Sequence, residues 1–304
     1  RYRLALARAH AGFSATTGGQ ALLSFMNHDY DVCVIGSGAG GGATAFALAQ
    51  AGYSVVMLEK GPWFTEKDFF KDELACCRRR VYVPDKRQEP HVVETREEDD
   101  QPWLARPTYE TGWDFWNGTC VGGSSNFMSG LFHRLKPVDF RLRSTFGPIE
   151  GANVADWPIS YEDLEPYYAK VEREVGVSGR IVPHPHLEPR STPDFPYPPT
   201  QEHPIAGLID QACADLGWHA IPTARAILSQ PAHGRGGCSY NGYCGSYGCA
   251  TGAKGGARAA LIDRAVAGGR CEVRAHSMVA RLMSDRTGKV SAAEYFDKNG
   301  ARRR

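Results

Sequence analysis

The chain has 304 residues, 42% of them hydrophobic and 23% charged, which is typical of a globular enzyme with one large domain or two interleaved ones. Its formal net charge of +1 gives no basic field for nucleic acid, so we expect no nucleic-acid partner. No run of residues approaches the roughly 18 consecutive apolar positions of a spanning helix, so no transmembrane segment is predicted.

Residues 1–28 are predicted to form an N-terminal extension. They lack both the charged-then-apolar pattern of a secretory signal and a twin-arginine opening. Met26 lies just before the first predicted strand, and translation from Met26 would indicate a cytoplasmic protein. The alternative is that residues 4–10 form a short helix that packs on the body of the protein.

A β-α-β unit follows this extension. Residues 31–35 are continuous, apolar and largely β-branched, as expected of a buried strand in a parallel sheet. A glycine turn leads into a predicted helix of small residues over 43–51, which Gly52 ends. Residues 54–58 form the next buried strand, so the whole segment has the length of one β-α-β unit.

The turn in this unit carries a G-x-G-x-x-G motif, in which Gly36 makes the tight turn, Gly38 admits a pyrophosphate and Gly41 lets helix and strand pack closely. Glu59 ends the second strand, where a carboxylate accepts hydrogen bonds from a ribose hydroxyl and repels a 2′-phosphate. The motif therefore predicts FAD or NAD, which share an ADP half, and disfavours NADP. The predicted cofactor contacts in this unit are Gly36, Gly38, Ala39, Gly41, Glu59 and Lys60.

The next region, from 67 to 102, is polar and rich in charge, which is typical of a solvated excursion. A second glycine turn at 118–123 follows an aromatic stretch that contains Tyr109, Trp113, Phe115 and Trp116.

The remaining sequence predicts helices, a strap and two strands. Ser160, with Asp163 three residues later, predicts the start of a helix that runs to about Val175 and stops at Gly176. Eight prolines between residues 180 and 204 predict an extended strap without regular structure. The other predicted elements are helices over 205–216 and 257–267 and strands over 271–282 and 290–296.

The second glycine turn resembles the first signature of the glucose-methanol-choline oxidoreductases. The resemblance continues through residues 156–161 and 163–168 and covers the chain from about residue 29 to 296. It implies that the second turn passes along the diphosphate and ring of FAD, and that Val279 contacts the adenine by its backbone. The cofactor contacts implied by the resemblance are Gly118, Gly122, Gly123, Ser124, Asn126 and Val279.

This resemblance implies an α/β fold: a Rossmann-like, doubly wound FAD/NAD(P)-binding domain with an inserted substrate (cap) region, C-terminally truncated relative to the family. The expected divisions are the extension 1–28, the first part of the FAD-binding domain 29–135, the cap region with its proline-rich strap 136–235, and a cysteine-rich loop with the return to the FAD-binding domain 236–304.

The implied activity is oxidation of CH-OH groups of alcohols or sugars by hydride transfer to the flavin. The nearest resemblance is to the gluconate and sugar dehydrogenase FAD subunits, which implies a periplasmic, membrane-associated protein that passes electrons to a cytochrome or other acceptor subunit and not to oxygen. The family's catalytic histidine is expected on a segment that this sequence lacks, so the catalytic residues are unknown. The alternatives are an FAD-binding remnant without activity and an NAD-dependent dehydrogenase.

A further departure from the family's pattern bears on the cofactor. Met128 stands where relatives have an Asn or a His, so we expect non-covalent FAD. His133 and His219 are predicted to be structural or surface residues and not substitutes for the absent histidine.

Three cysteines in a glycine-rich loop, Cys238, Cys244 and Cys249, are candidate ligands of an iron-sulfur cluster. The loop is similar to one that carries a cluster in some sugar dehydrogenases of the family. Those proteins tend to have a further Cys where this chain has Ser239, and other relatives keep such a loop without metal, so both readings stay open.

Overall fold

A computed structural model describes residues 30–69, 92–96, 100–107, 110 and 118–304. The predicted helix over 4–10, the proposed start at Met26 and the aromatic residues of 109–116 named above lie outside the described residues. The chain separates into two compact units: the first comprises residues up to 127 together with 257–304, and the second comprises 128–256.

The described helices and strands are, in chain order, β1 (Val32–Ile35), α1 (Ala39–Gln50), β2 (Val55–Leu58), β3 (Val92–Thr95), β4 (Leu104–Pro107), α2 (Leu142–Phe146), α3 (Tyr161–Val175), α4 (Pro204–Asp215), α5 (Asp263–Ala267), β5 (Cys271–Arg274), β6 (Met278–Ser284), β7 (Val290–Phe296) and β8 (Arg302–Arg303). Single-turn helices cover Glu66–Asp68, Gly123–Phe127 and Pro137–Phe140, and a π-helix over Arg258–Ile262 leads into α5.

The first unit is built on a parallel sheet in the order β1-β2-β5, with Val55 of β2 opposite both Val32 and Cys271. All four residues of β2 are buried, as expected of a central strand covered on both faces. Helix α1 packs closely on the π-helix and the residue before it, since a Cβ on Gly42 would lie 3.3 Å from the Ile262 side chain and 2.9 Å from Cβ of Ala257. The α/β fold with a parallel sheet is therefore confirmed.

A second, antiparallel sheet in the order β6-β7-β8 completes the first unit. Tyr295 of β7 packs with Val56 and Leu58 of β2, so the two sheets share a core. The single strand predicted over 271–282 was wrong: the chain leaves β5 at residue 274, and His276 adopts φ 54°. The N-H groups of His276 and Ser277 donate to the carbonyls of Gly61 and Glu59, at 3.0 and 2.7 Å, which fixes this change of sheet.

A hairpin that was not predicted lies at the end of the polar region. Strand β3, within that region, pairs antiparallel with β4, just after it, although most of their side chains are exposed. Alternation of apolar and polar residues is the main sequence signal of a half-buried strand, and the residues of β3 and β4 do not show it.

In the second unit, α3 has the predicted bounds. The Ser160 hydroxyl accepts from the N-H of Asp163 at 3.2 Å, and Gly176 ends the helix with φ 83°. Residues 180–203, all of which the structure describes, contain no helix or strand, as predicted for the strap. No helix in the described part of the chain combines the length and the apolar character needed to cross a membrane.

The boundaries of the two units lie at 127/128 and 256/257, whereas the expected domain boundaries lie at 135/136 and 235/236. The cysteine-rich loop therefore falls in the second unit and not with the return segment. The first unit therefore consists of two stretches of the chain that are separated in sequence by the whole second unit.

Candidate functional site

The first glycine loop joins β1 to α1 at the carboxyl end of the parallel sheet. Gly36 adopts φ +83°, a conformation that side chains disfavour, and its N-H donates to the carbonyl of Leu58 at 2.9 Å. A Cβ on Gly36 or Gly38 would have no neighbour within 4 Å, so the backbone of both residues faces open space. A ligand can therefore approach this loop directly.

Gly41 has the opposite surroundings. A Cβ on Gly41 would lie 2.0 Å from the carbonyl oxygen of Gly36 and 3.3 Å from Val34, so only glycine allows α1 to pack against the loop. The first turn of α1, which includes Ala39, has no acidic residue and no side-chain cap. Its N-H groups thus provide partial positive charge, which suits a phosphate.

The second glycine loop lies against the first. A Cβ on Gly123 would be 3.1 Å from Cα of Gly38, and the N-H of Gly122 donates to the Ser37 hydroxyl at 3.0 Å. Gly122 and Gly123 have φ values of +91° and +55°. Two loops that are more than 80 residues apart in sequence thus form one wall, as the sequence interpretation requires.

Glu59 lies at the end of β2 and is 6% exposed. Its Oε2 accepts from the N-H and the hydroxyl of Ser37, at 2.9 and 2.6 Å, and its Oε1 accepts from the N-H of Gly61 at 2.9 Å. A carboxylate offers about four acceptor positions, so one position on Oε1 remains for a further donor. A ribose hydroxyl is a donor of the expected kind.

Ser37 is a residue to which the sequence interpretation gave no role. It is fully buried and contacts Glu59 as well as the second glycine loop. It occupies a variable position of the G-x-G-x-x-G motif, so neither periodicity nor motif spacing singles it out. The only signal for Ser37 in the sequence was a polar residue within the glycine turn.

Two polar residues of the second loop are used within the loop itself. Nδ2 of Asn126 donates to the carbonyls of Val121 and Gly123, at 2.8 and 3.1 Å. The Ser124 hydroxyl accepts from the N-H of Gly118 at 2.9 Å. Both side chains therefore fix the shape of the loop, whatever else they contact.

The two loops line a cleft of about 470 Å³ within the first unit, a volume within the range of small-molecule sites. It brings together eight of the twelve predicted cofactor contacts: Gly36, Gly38, Glu59, Lys60, Gly118, Gly123, Ser124 and Val279. Thr119, Ser277 and Met278 also line the cleft and were not predicted. Ala39, Gly41, Gly122 and Asn126 are not among the residues that line the cleft.

These residues fit a dinucleotide. The bare glycines leave room for a pyrophosphate at an uncapped helix N-terminus, and a buried carboxylate with remaining acceptor capacity lies at the end of the neighbouring strand. This arrangement is characteristic of the dinucleotide-binding class of α/β proteins.

The predicted iron-sulfur ligands gain no support. Within the described residues there is no group of three or more His, Cys, Asp or Glu side chains that is able to hold a metal ion. Cys238 and Cys249 pack against a small apolar cluster of Ile227, Leu228 and Ala253, whereas Cys244 is exposed. In this structure, two of the three thiols therefore contribute to apolar packing.

His133 and His219 are both exposed, in accordance with their expected surface position. Neither belongs to the unit that contains the cleft.

Comparison with known proteins agrees with the assignment of a dinucleotide site. Residues 31–67 match the family described as FAD binding domain. The chain is 36% identical over 277 residues to 2-methyl-1,2-propanediol dehydrogenase of Mycolicibacterium austroafricanum, covering 90% of this chain and 46% of that protein. It is 28% identical over 303 residues to gluconate 2-dehydrogenase flavoprotein of Pantoea cypripedii, covering 89% and 48% respectively.

Among solved structures, a formate oxidase of Aspergillus oryzae RIB40 has a TM-score of 0.54 at 13% identity, covering 89% of this chain and 42% of that one. Pyridoxine 4-oxidase from Mesorbium loti has a TM-score of 0.50 at 17% identity, covering 89% and 47%. These likenesses establish the fold. The chain spans about half the length of the curated relatives that it matches.

The fold, the glycine loops and the family match define an FAD-binding α/β protein. More particularly, the predicted resemblance to the glucose-methanol-choline oxidoreductases, a family of FAD-dependent dehydrogenases and oxidases, is confirmed.

Proposed function

We propose that the cleft of the first unit holds the ADP half and the diphosphate of non-covalently bound FAD, as part of an oxidoreductase that acts on CH-OH groups of alcohols or sugars. The observation that carries this proposal is the contact of two glycine loops in one cleft, with Gly123 beside Gly38. A protein that binds NAD through the first loop alone has no need of the second.

In this proposal each side of the cleft binds one part of the dinucleotide. The N-H groups at the start of α1 bind the diphosphate, and Oε1 of Glu59 accepts a hydrogen bond from a ribose hydroxyl. Ser277, Met278 and Val279 line the side of the cleft that we assign to the adenine. When bound, FAD would supply the redox chemistry as a hydride acceptor.

The names of the relatives support an alcohol or a sugar as the substrate, because they include a propanediol dehydrogenase, a gluconate 2-dehydrogenase flavoprotein and a fructose dehydrogenase large subunit. The last two names suggest further subunits as partners and an acceptor other than oxygen. Oxidases also occur among the relatives, so oxygen is the competing acceptor. We assign no catalytic base within the described residues.

Absorbance and turnover test the proposal. The purified chain, loaded with FAD and freed of excess by gel filtration, should show a flavin spectrum, and acid precipitation should release all of the FAD into solution. NAD binding with no FAD retention would contradict the proposal, and flavin in the precipitate would contradict non-covalent binding. Turnover of gluconate or a diol with a dye acceptor, compared with oxygen alone, distinguishes an enzyme from a silent FAD-binding protein.

A further inference from the structure

Ser37 lies between the two parts of the proposed FAD site. It is fully buried, and its backbone N-H and its hydroxyl both donate to Oε2 of Glu59. Together they turn Oε2 towards the protein. Because Oε2 then has two donors and Oε1 has one, the remaining acceptor position of the carboxylate is on Oε1.

The same hydroxyl contacts the second glycine loop. It accepts from the N-H of Gly122 at 3.0 Å. A serine hydroxyl has one hydrogen, and this hydrogen points to Glu59 at 2.6 Å in preference to the carbonyl of Cys120 at 3.5 Å. One oxygen atom thus connects the carboxylate of the ribose site with the backbone of the second loop.

We propose that Ser37 is a positioning residue that orients Glu59 for the 2′-hydroxyl of the adenosine ribose and couples occupancy of that position to the second glycine loop. This inference rests on the proposed FAD function and goes beyond it, since it assigns ribose discrimination to a side chain that acts through the carboxylate of Glu59. Binding of the ADP half then also stabilises the loop around Gly122.

Ser125 provides a matched control. Its hydroxyl also donates to one group and accepts from another in the same loop: it donates to the carbonyl of Gly122 at 2.6 Å and accepts from the N-H of Ala257 at 2.8 Å. It has no contact with Glu59 among the hydrogen bonds of the described residues. Ser37→Ala and Ser125→Ala therefore remove comparable hydroxyl groups, and only the first variant releases the carboxylate.

The test measures the dissociation constants of ADP and 2′-deoxy-ADP by titration calorimetry on the full chain. A hydrogen bond to a charged group should give the wild type about a tenfold preference for ADP, equal to about 1.4 kcal/mol. We expect Ser37→Ala to reduce this preference at least threefold, and Ser125→Ala to retain it. If Ser37→Ala does not fold, Ser37→Cys offers a second variant, because its side chain is similar in size and its S-H is a weaker donor. Ser37→Cys should also reduce the preference for ADP.

Hydrogen exchange at residues 118–123 supplies a second readout. ADP should slow exchange of these amides in the wild type and have a smaller effect in Ser37→Ala. The inference is overturned if the wild type does not distinguish the two nucleotides, if Ser37→Ala keeps the full preference, or if Ser125→Ala loses it equally. Failure of the wild type to bind either ADP or FAD would instead reject the proposed function.

Discussion

In the first unit the buried carboxylate of Glu59 receives hydrogen bonds from neutral donors, whereas in the second unit the buried carboxylate of Glu172 is paired with two arginines. Arg134 binds both oxygens of Glu172 at 2.8 Å, and Arg190 binds Oε2 at 2.6 Å. The negative charge of Glu172 is therefore neutralised within the protein, while the hydrogen bonds to Glu59 named above come from neutral donors. Under the proposed function, this difference separates a structural ion network from a carboxylate that can accept a hydrogen bond from a ligand hydroxyl.

The largest expected effect is on the second unit. Arg134→Met leaves Glu172 with one cation instead of two and removes the 2.8 Å partner of Glu165, so it should lower the free energy of unfolding by about 3–5 kcal/mol. Urea unfolding measures this change. Arg173 is the control, because its side chain is 62% exposed and 3.9 Å from Glu174.

Arg173→Met should cost less than about 1 kcal/mol. Similar small effects of both substitutions would show that the buried network does not stabilise the second unit.

The next effect concerns the first glycine loop. Gly41→Ala should destabilise the chain by about 1–3 kcal/mol, since its Cβ would overlap the carbonyl oxygen of Gly36. Gly40→Ala, one residue earlier in α1, meets no atom within 4 Å and should cause no loss of stability. Thermal unfolding of the two variants side by side provides the comparison. Equal loss in both would contradict the close packing at Gly41.

The glycine motif is an example of a feature that could be predicted from the sequence, whereas other features could not. The G-x-G-x-x-G loop, Glu59 and the bounds of α3 were predictable, because motif spacing and the caps at Ser160 and Gly176 are local signals. The ionic partners Arg134 and Glu172 are 38 residues apart, and no local pattern joins them.

The role of Ser37 depends on contacts over 22 and 85 residues, which form only in the folded chain. The break between β5 and β6 was missed for a similar reason. His276 and Ser277 bond to the backbone of residues 59 and 61, and these distant bonds override a continuous strand pattern.

A smaller effect on the free energy of unfolding should appear at low pH. The N-H of Ser191 and then the guanidinium of Arg134 lower the pKa of Glu165 from 4.5 to about 2. A carboxyl with a lowered pKa in the folded state stabilises that state above its unfolded pKa, and this contribution is lost as the pH falls from about 4.5 to about 2. Glu165→Gln should flatten this part of the stability profile, as measured by urea unfolding across pH. An unchanged acid limb would show that Glu165 is not held in its ionised form by these contacts.

The smallest effect is on thiol chemistry. Burial raises the pKa of Cys120, in the second glycine loop, to about 11, whereas Cys244 of the second unit is exposed. Iodoacetamide at pH 8 should therefore modify Cys244 much faster than Cys120, because the thiolate is the reactive form. Mass spectrometry of peptides over time gives both rates. Rapid modification of Cys120 would mean that the second loop opens readily.

The central claim is that two glycine loops close on one FAD, and Gly38→Val tests it most directly. A Cβ at Gly38 meets no protein atom within 4 Å, and Gly38 lines the cleft, so we expect the valine side chain to occupy the cleft and the variant to unfold at the wild-type temperature. Titration of FAD, followed by quenching of flavin fluorescence, should show binding at least tenfold weaker than in the wild type. Wild-type affinity in a fully folded Gly38→Val variant would contradict the placement of FAD in this cleft.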